Sequence, residues 1–247
     1  MTEIHQPIVA CRQVSKAFGE KQVLRDVSFE VKAGEILCIL GRSGTGKSVT
    51  LKLLIALQRP DHGKIWIDDD EITSMDAAGL SKVRRKMGFL FQDAALFDGL
   101  TLYENLALPL ARLTGKGRDE IDIAVTNTLK QVGLACDTQK KPSALSGGMR
   151  KRAGLARALI LNPKVLLADE PSSGLDRITA SEIDDLLLQQ RSESNTTIVV
   201  VTHDVHGARK IGDKFGVLDK GRMIAFGTVD EVESSEHEVA RRLISER

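Results

Sequence analysis

The apolar residues of this chain follow two different spacings, which divide it into predicted strands and predicted helices. Polar and apolar residues alternate over Val23 to Val31, as in a strand with one buried face. Ile36 to Leu40 and Ile198 to Val201 are continuous apolar runs instead, which are typical of strands buried on both faces. Such strands occur in parallel sheets that helices cover, so the pattern predicts an α/β fold with a mainly parallel core sheet.

A mainly helical segment, 103–158, separates the two halves of this pattern. Its apolar residues recur at spacings of four, four and three, as on one face of a helix. They are Ile121, Val125, Leu129 and Val132. This spacing predicts a helical subdomain inserted into the α/β core.

The last part of the chain has a strand pattern followed by a helix start. Met223 to Phe226 is typical of a short strand. Thr228 and Glu231 have the spacing of a capping box, which predicts that they open a last helix.

We predict that 1–247 forms a single domain. Its α/β core takes in residues 1–92 and 159–227 and includes an N-terminal antiparallel β part. The helical subdomain covers 93–158, and a C-terminal helical segment covers 228–247. A chain of this length can bury one sizeable core.

The charge of the chain gives no preference for nucleic acid or anionic lipid. Lys and Arg together number 35 and Asp and Glu 34, for a formal net charge of +1. The basic runs Lys82 to Lys86 and Arg150 to Arg152 are interpreted as solvated helix faces. We therefore predict no nucleic-acid partner.

The apolar runs and the cysteines indicate a cytoplasmic protein. The longest apolar runs fall far short of the roughly 20 residues of a membrane-spanning helix, and the polar opening Met1 to Pro7 does not resemble a signal peptide. Cys11, Cys38 and Cys136 are widely spaced and lack the spacing of metal ligands. Reduced thiols in the cytoplasm fit this set.

A phosphate-binding loop is predicted between the strand Ile36 to Leu40 and the helical pattern Val49 to Leu57. The segment matches the G-x-x-x-x-G-K-[ST] pattern in the strand–loop–helix context that the pattern requires. Its predicted nucleotide-binding residues are Gly41, Arg42, Ser43, Gly44, Thr45, Gly46, Lys47, Ser48 and Val49. Backbone N–H groups and the helix N-terminus would receive the phosphates, Lys47 would neutralise their charge, and Ser48 would bind Mg²⁺.

Two carboxylates follow another apolar strand. Val165 to Ala168 leads into Asp169 and Glu170, at the carboxyl end of a parallel strand, where ligands bind. Asp169 is predicted to hold Mg²⁺, and Glu170 to act as the general base that activates water. Alone, two acids before Pro171 would more often form a turn; the phosphate loop favours catalysis.

His203 lies in the corresponding place after the strand Thr197 to Val201. It is predicted to contact the γ-phosphate from the same edge of the sheet. A structural role is the alternative for a histidine taken by itself.

A second phosphate-seeking segment, Leu145 to Met149, precedes the helix-compatible run Arg150 to Ile160. Ser146, Gly147 and Gly148 are placed to receive an anion at a helix N-terminus, although an ordinary serine N-cap is the alternative. The chain resembles the ABC ATPases over almost its whole length. The features that carry the resemblance are the phosphate loop, the segment Leu145 to Met149, Asp169-Glu170, the run Ser173 to Asp176 and His203.

The resemblance implies a P-loop NTPase core and a head-to-tail homodimer with two ATP molecules at its interface. Leu145 to Met149 would be the signature motif, which completes the site of the opposite subunit. The resemblance further implies that Phe18 stacks on adenine, that Gln92 binds Mg²⁺ and senses the γ-phosphate, and that Asp176 joins the two sites. Phe18 as a core aromatic is the alternative.

The segment after Gln92 implies a membrane partner. In the ABC family, the stretch corresponding to Gln92 to Thr101 receives a coupling helix of a permease. Leu96 and Phe97 are predicted to form an apolar socket for it, with core packing of Phe97 as the alternative.

The chain is similar to the ATPases of the Mla and Mce lipid-transport systems in three features: the run Leu90 to Thr101, its continuation Tyr103 to Leu110, and Met149 in place of the commoner glutamine. The resemblance implies a Mce-type lipid-binding partner, phospholipid cargo, and a place on the cytoplasmic side of the inner membrane through the permease. Two alternatives remain: another cargo, such as an amino acid, a metal or a peptide, or a soluble ABC protein that acts on DNA or ribosomes.

Overall fold

The computed structural model describes residues 7–245, which form two sheets and the helices around them. In chain order the strands are β1 Val9–Phe18, β2 Lys21–Val31, β3 Ile36–Leu40, β4 His62–Ile67, β5 Asp70–Glu71, β6 Met87–Leu90, β7 Val165–Asp169, β8 Thr197–Thr202, β9 Lys214–Asp219 and β10 Arg222–Gly227. The α-helices are α1 Lys47–Leu54, α2 Ala77–Arg84, α3 Leu102–Leu113, α4 Arg118–Gln131, α5 Gly147–Leu159, α6 Arg177–Ser194, α7 Val205–Ile211, α8 Val229–Glu233 and α9 Glu238–Ser245. Short 3₁₀ turns cover Ala135–Asp137 and Pro142–Ala144.

The larger sheet has the strand order β10-β9-β3-β8-β7-β6. Strands β9, β3, β8, β7 and β6 pair in parallel, and only the edge strand β10 is antiparallel to its neighbour. The predicted α/β fold with a mainly parallel sheet is therefore confirmed. Because parallel strands end on the same side, the segments that follow β3, β6, β7 and β8 meet at one edge of the sheet.

The continuous apolar runs have a direct explanation in this sheet, because successive side chains of a strand point to opposite faces. In β3, Leu37 and Ile39 join the core on one face, which α1 and α2 also line. Ile36, Cys38 and Leu40 join the core on the other face, against α5, α6 and α7. Both faces are buried, so no position in the strand favours a polar residue.

The smaller sheet has the order β2-β1-β4-β5 and is antiparallel throughout. It is the predicted N-terminal antiparallel β part. Its strands β1, β4 and β5 carry no clear alternation and were not predicted. In β1, a register shift and the left-handed backbone of Gln13, with φ of 53°, interrupt the period of two.

The helices α3, α4 and α5 pack around an apolar core of their own, which contains Ile121, Val125, Leu129 and Val132 as predicted. This separate core supports the proposed helical subdomain, 93–158, while its limits stay a prediction. The outer domain limits, 1 and 247, lie outside the described residues.

Several predicted boundaries need correction. The helix after the phosphate loop is Lys47–Leu54 rather than Val49 to Leu57, because Gly46 ends the loop and caps the helix. Thr228 and Glu231 do form a capping box, but it opens the short α8, and α9 follows as the last helix. None of the helices within residues 7–245 combines the length and apolar character that crossing a bilayer requires.

Candidate functional site

The phosphate loop runs from the end of β3 to the start of α1. Gly44 and Gly46 have φ angles of 78° and 109°, and residues with a Cβ atom rarely adopt such backbone conformations. A Cβ atom at Gly46 would lie 2.6 Å from the Cδ2 atom of Leu24, so the loop also needs glycine for close packing. The strand–loop–helix context predicted from the sequence is confirmed, and the free N–H groups of α1 point toward the loop.

Lys47 begins α1 and is buried beneath the loop. Its Nζ atom donates to the carbonyl oxygens of Gly41 at 2.6 Å and Arg42 at 3.2 Å, and lies 3.7 Å from Oε1 of Glu170. The lysine is therefore held between the loop and the carboxylate that follows β7. A cation in this position fits the phosphates of a nucleotide.

Ser48 and Asp169 form the pair that fits a magnesium ion. The Oγ atom of Ser48 donates to Oδ1 of Asp169 at 2.9 Å, which joins the start of α1 to the end of β7. Asp169 points toward α1 because it shares the sheet face of Val165 and Leu167. Hydroxyl and carboxylate oxygens are ligands that Mg²⁺ prefers. Burial and, more weakly, the nearby Glu170 raise the pKa of Asp169, and the hydrogen bond from Ser48 opposes that rise.

Glu170 directly follows β7 and is buried, with a left-handed backbone of φ 49°. Its Oε2 atom lies 2.9 Å from Nδ1 of His203 and accepts from the Thr202 hydroxyl at 3.2 Å. A residue with a Cβ atom rarely adopts this conformation, and such residues concentrate at functional sites. The carboxylate thus projects from the edge of the sheet beside the phosphate loop.

Most of these residues line one cleft of about 670 Å³. Asp169 is not among its lining residues and contacts the cleft residue Ser48 instead. The cleft-lining residues are Phe18, Lys21, Val23, Arg42, Ser43, Gly44, Gly46, Lys47, Ser48, Val49, Gln92, Glu170 and His203. The structure therefore brings together most of the residues that were predicted for the nucleotide and the reaction. Gly41 and Thr45 belong to the loop but are not among the residues that line this cleft. A Cβ atom on Gly41 would meet the carbonyl oxygen of Leu218 at 2.5 Å, and the Thr45 hydroxyl donates to the carbonyl oxygen of Arg42 at 2.9 Å.

Phe18 stands at the open end of this cleft. It ends β1, is 45% exposed, and has the Nζ atom of Lys16 5.4 Å from its ring centroid. The alternative of a core aromatic therefore does not hold. Sequence reasoning missed Lys21 and Val23, which also line the cleft. Their place three and five residues after Phe18, in the same hairpin, was the available signal.

The signature segment lies in a different cleft. Ser146 caps α5, with its Oγ atom accepting from the N–H of Met149 at 3.3 Å. Asp176 caps α6 in the same way and accepts from the N–H groups of residues 178 and 179. Ser146, Gly147, Gly148 and Asp176 share a cleft that none of the phosphate-loop residues lines. A single chain therefore does not bring these two predicted groups of nucleotide-binding residues together.

The loop after Gln92 is fixed by contacts from two helices. Fully buried Asn105 of α3 accepts from the N–H of Phe97 at 2.8 Å and donates to carbonyl oxygens of the same loop. Arg157 of α5 donates to the carbonyl of Ala95 and lies over the Phe97 ring, 4.8 Å from its centroid. Leu96 packs partly on the helical core, whereas Phe97 is 48% exposed. The alternative of core packing for Phe97 is therefore wrong, and the predicted socket reduces largely to this one ring.

Comparisons with known proteins agree with this geometry. A family model described as ABC transporter matches residues 24–173. The chain is 42% identical over 239 residues to the probable ribonucleotide transport ATP-binding protein mkl of Mycobacterium leprae, covering 97% of this chain and 69% of that protein. It is 40% identical over 227 residues to the methionine import ATP-binding protein MetN of Caulobacter vibrioides, covering 91% and 68%. The mkl protein of Mycobacterium bovis is matched over 65% of its length, so the chain spans about two thirds of these relatives.

A solved structure supports the fold and the ligands. The dimeric post-hydrolysis structure of the ATP-binding cassette MJ0796 bound to ADP and Pi superposes with a TM-score of 0.83 at 36% identity. The match covers 89% of this chain and 98% of that one. The family match, the relatives and the residues gathered around the phosphate loop lead to one conclusion: the chain belongs to the ABC transporter family, as an ATP-hydrolysing cassette that uses ATP with Mg²⁺.

Proposed function

We propose that this cassette works as a head-to-tail homodimer that drives a separate permease, with phospholipid or another lipid as the cargo, as in the Mla and Mce systems. The observation that carries the permease contact is the exposed ring of Phe97 on a loop that α3 and α5 hold in place. An apolar ring on a fixed surface loop is suited to a partner helix.

The residues of the cleft have separate roles in hydrolysis. Glu170 orients the attacking water and accepts its proton while the water oxygen bonds to the γ-phosphorus and the bond to the bridging oxygen of ADP breaks. His203, 2.9 Å from Glu170, contacts the γ-phosphate, and Lys47 offsets phosphate charge. Ser48, Asp169 and Gln92 hold Mg²⁺, which supplies charge neutralisation at the phosphates when bound. Phe18 stacks on the adenine.

The two clefts support the head-to-tail dimer. Phosphate-loop residues line one cleft, and Ser146, Gly147, Gly148 and Asp176 line the other. The exposed Ser146 at the N-terminus of α5 is suited to receive phosphate. Asp176 carries a carboxylate at the N-terminus of α6, so it joins the two sites instead of binding phosphate. In a head-to-tail dimer, the signature segment of each chain covers the nucleotide bound to the phosphate loop of its partner. Each nucleotide then contacts both groups of residues, which lie in separate clefts of a single chain.

The lipid cargo and the Mce-type partner rest on the resemblance in 90–110 and on Met149. Met149 packs partly against the helical core beside α3 and α4, so this unusual residue belongs to the subdomain that carries the permease loop. The same resemblance supports the proposal that the complex lies at the cytoplasmic side of the inner membrane, through the permease. The names of the relatives favour a second candidate, a cassette that serves a transporter of ribonucleotides or methionine.

The test is affinity purification of the tagged chain from detergent-solubilised membranes of its native host, with mass spectrometry of bound proteins and lipids. A permease, a Mce-type protein and phospholipid are expected together. A permease with a receptor for a polar solute would replace lipid by the second candidate. Ribosomal or DNA-repair proteins alone would overturn the transport function.

Two matched variants locate the contact. Phe97→Asp is expected to lose the permease, because it puts a charge where an apolar ring meets the partner helix. Its ATPase activity in isolation should stay within about twofold, because Phe97 is not among the residues that line the nucleotide cleft. Ile123→Asp is the control, because Ile123 is 62% exposed in the same subdomain, on α4, outside the loop. Retention of the permease by Phe97→Asp would place the contact elsewhere.

A further inference from the structure

Lys151 is a buried lysine just inside the signature helix. It lies in α5 four residues after Gly147 and is 7% exposed. A buried ammonium group is stable only when polar partners replace the water it has lost. The partners of Lys151 therefore show what this side chain does.

Those partners belong to the catalytic segment. The Nζ atom donates to the main-chain carbonyl oxygen of Glu170 at 2.7 Å and to Oγ of Ser173 at 3.3 Å. The same carbonyl also accepts from the hydroxyl of Ser173 at 3.0 Å and from its N–H at 3.2 Å. Ser173 lies in the turn that follows Glu170, whereas Lys151 is a charged donor that reaches this carbonyl from the helix α5.

The backbone of Glu170 needs such support. Its φ of 49° is unfavourable for a residue with a Cβ atom and persists only where the surroundings hold it. On the other side, its N–H donates to the carbonyl of Val201 at 2.9 Å. The direction of the Glu170 side chain follows from the orientation of these two peptide groups, and Lys151 holds one of them.

We propose that Lys151 is a positioning residue, which ties the signature helix α5 to Glu170 so that the placement of α5 sets the orientation of the catalytic carboxylate. The contact joins elements 19 residues apart in the chain. Its effect on Glu170 rests on the proposed catalytic role of that residue. In the proposed dimer, the same contact connects the nucleotide that Ser146 to Gly148 receive in the partner's site with the hydrolytic group of this chain's own site.

The test compares steady-state ATP hydrolysis by the purified full chain and its variants, with each rate expressed per folded molecule. Lys151→Met keeps the length of the side chain but removes the donor, and Lys151→Arg restores a cationic donor. We expect kcat of K151M to fall by about 100-fold, as a misplaced catalytic group can cause, with KM for ATP within about threefold. The kcat of K151R is expected to be about tenfold higher than that of K151M, which a purely structural role would not predict.

Lys86→Met is the matched control. Lys86 binds Asp68 and Asp70 at 3.0 and 3.1 Å, just before β6 and therefore at the opposite edge of the sheet from the cleft. K86M removes these ion pairs, so its kcat should stay within about twofold of the wild type. If K151M does not fold, Lys151→Gln takes its place with the same expected split between kcat and KM.

Glu170→Gln in the same assay separates two failures. An E170Q variant with wild-type activity would overturn the proposed role of Glu170, and the role of Lys151 with it. An inactive E170Q beside a K151M that retains wild-type kcat would overturn the role of Lys151 alone. Neither outcome depends on the cargo or the permease, because the assay follows phosphate release by this chain.

Discussion

The Nδ1 atom of His203 lies 2.9 Å from Oε2 of Glu170, and this contact joins the ends of two neighbouring parallel strands, β7 and β8. The imidazole side chain is 66% exposed, whereas the carboxylate is only 11% exposed. The ring therefore extends from a buried partner toward the open cleft. In the proposed mechanism Glu170 therefore has two roles: it activates water, and it holds the histidine at a position from which the ring can reach a phosphate.

We expect His203→Ala to lower kcat for ATP hydrolysis by about 100-fold, because an oriented group beside the reacting phosphate is lost. Steady-state phosphate release by the purified chain measures this. His62→Ala is the control, because His62 is exposed on β4, in the antiparallel sheet. Equal activity of both variants would remove His203 from the reaction.

Glu170→Gln is expected to lower kcat by about 100-fold or more, since the amide keeps the size of the carboxylate but cannot accept the proton of water. ATP binding, followed by the change in fluorescence of a labelled nucleotide, should persist. Glu71→Gln is the control, because Glu71 pairs with Lys64 in the antiparallel sheet. A normal turnover of E170Q would contradict the assigned role.

The buried carboxyl group of Asp184 should make the free energy of unfolding depend on pH. Burial raises the pKa of this α6 carboxyl to about 6, with smaller contributions from Asp204 and Asp185 in the same direction and from Lys210 against it. Because the folded-state pKa exceeds the unfolded value of 3.8, the favourable protonated form stabilises the fold at low pH, and this stabilisation is lost as pH rises through about 6. The resulting cost at pH 8 is at most about 3 kcal/mol.

Asp184→Asn removes this titration. The free energy of unfolding, measured by urea denaturation, should therefore fall less in the variant than in the wild type as pH rises from 4 to 7. Asp119→Asn is the control, because Asp119 is exposed on α4 and is not among the groups that shift the pKa of Asp184. A difference between D184N and wild type that does not change with pH would refute the perturbed carboxyl.

Asn105→Leu should destabilise the helical subdomain by about 2 kcal/mol or more, because it leaves buried N–H and carbonyl groups of the loop from Phe97 to Thr101 without partners. Thermal unfolding measures the loss. Asn127→Leu makes the same substitution at an exposed position of α4 and should change stability by less than about 0.5 kcal/mol. A similar loss in both variants would mean that the hydrogen bonds of Asn105 contribute nothing.

Much of the fold could be predicted from the chain because its strongest signals are local. The strand Ile36 to Leu40 was predicted with its observed limits, since a run buried on both faces contains only apolar residues. The strands β1, β4 and β5 were missed because they carry irregular or weak alternation. The parallel strands β6 and β9 were missed as well, because each is short and contains a glycine. Propensity alone could not separate them from loops, and their pairing across the sheet decided their structure.

The candidate site divides in the same way. The phosphate loop, Asp169-Glu170 and His203 were predictable because each follows an apolar strand within a few residues, and parallel strands bring such ends to one edge. The contacts of Lys151 and Asn105 could not be predicted. The sequence around a polar residue in a helix is the same whether its side chain faces water or a backbone carbonyl.

By itself, the sequence determined where the phosphate-loop pattern lies and which apolar strands lead into the predicted site residues, because backbone conformation and strand burial are set largely by neighbouring residues. Only the tertiary structure decided how these groups are held. It placed α5 so that Lys151 reaches the carbonyl of Glu170, and it left Phe97 exposed beside Arg157. The physical reason is that such contacts depend on how helices pack, and packing joins residues far apart in the chain.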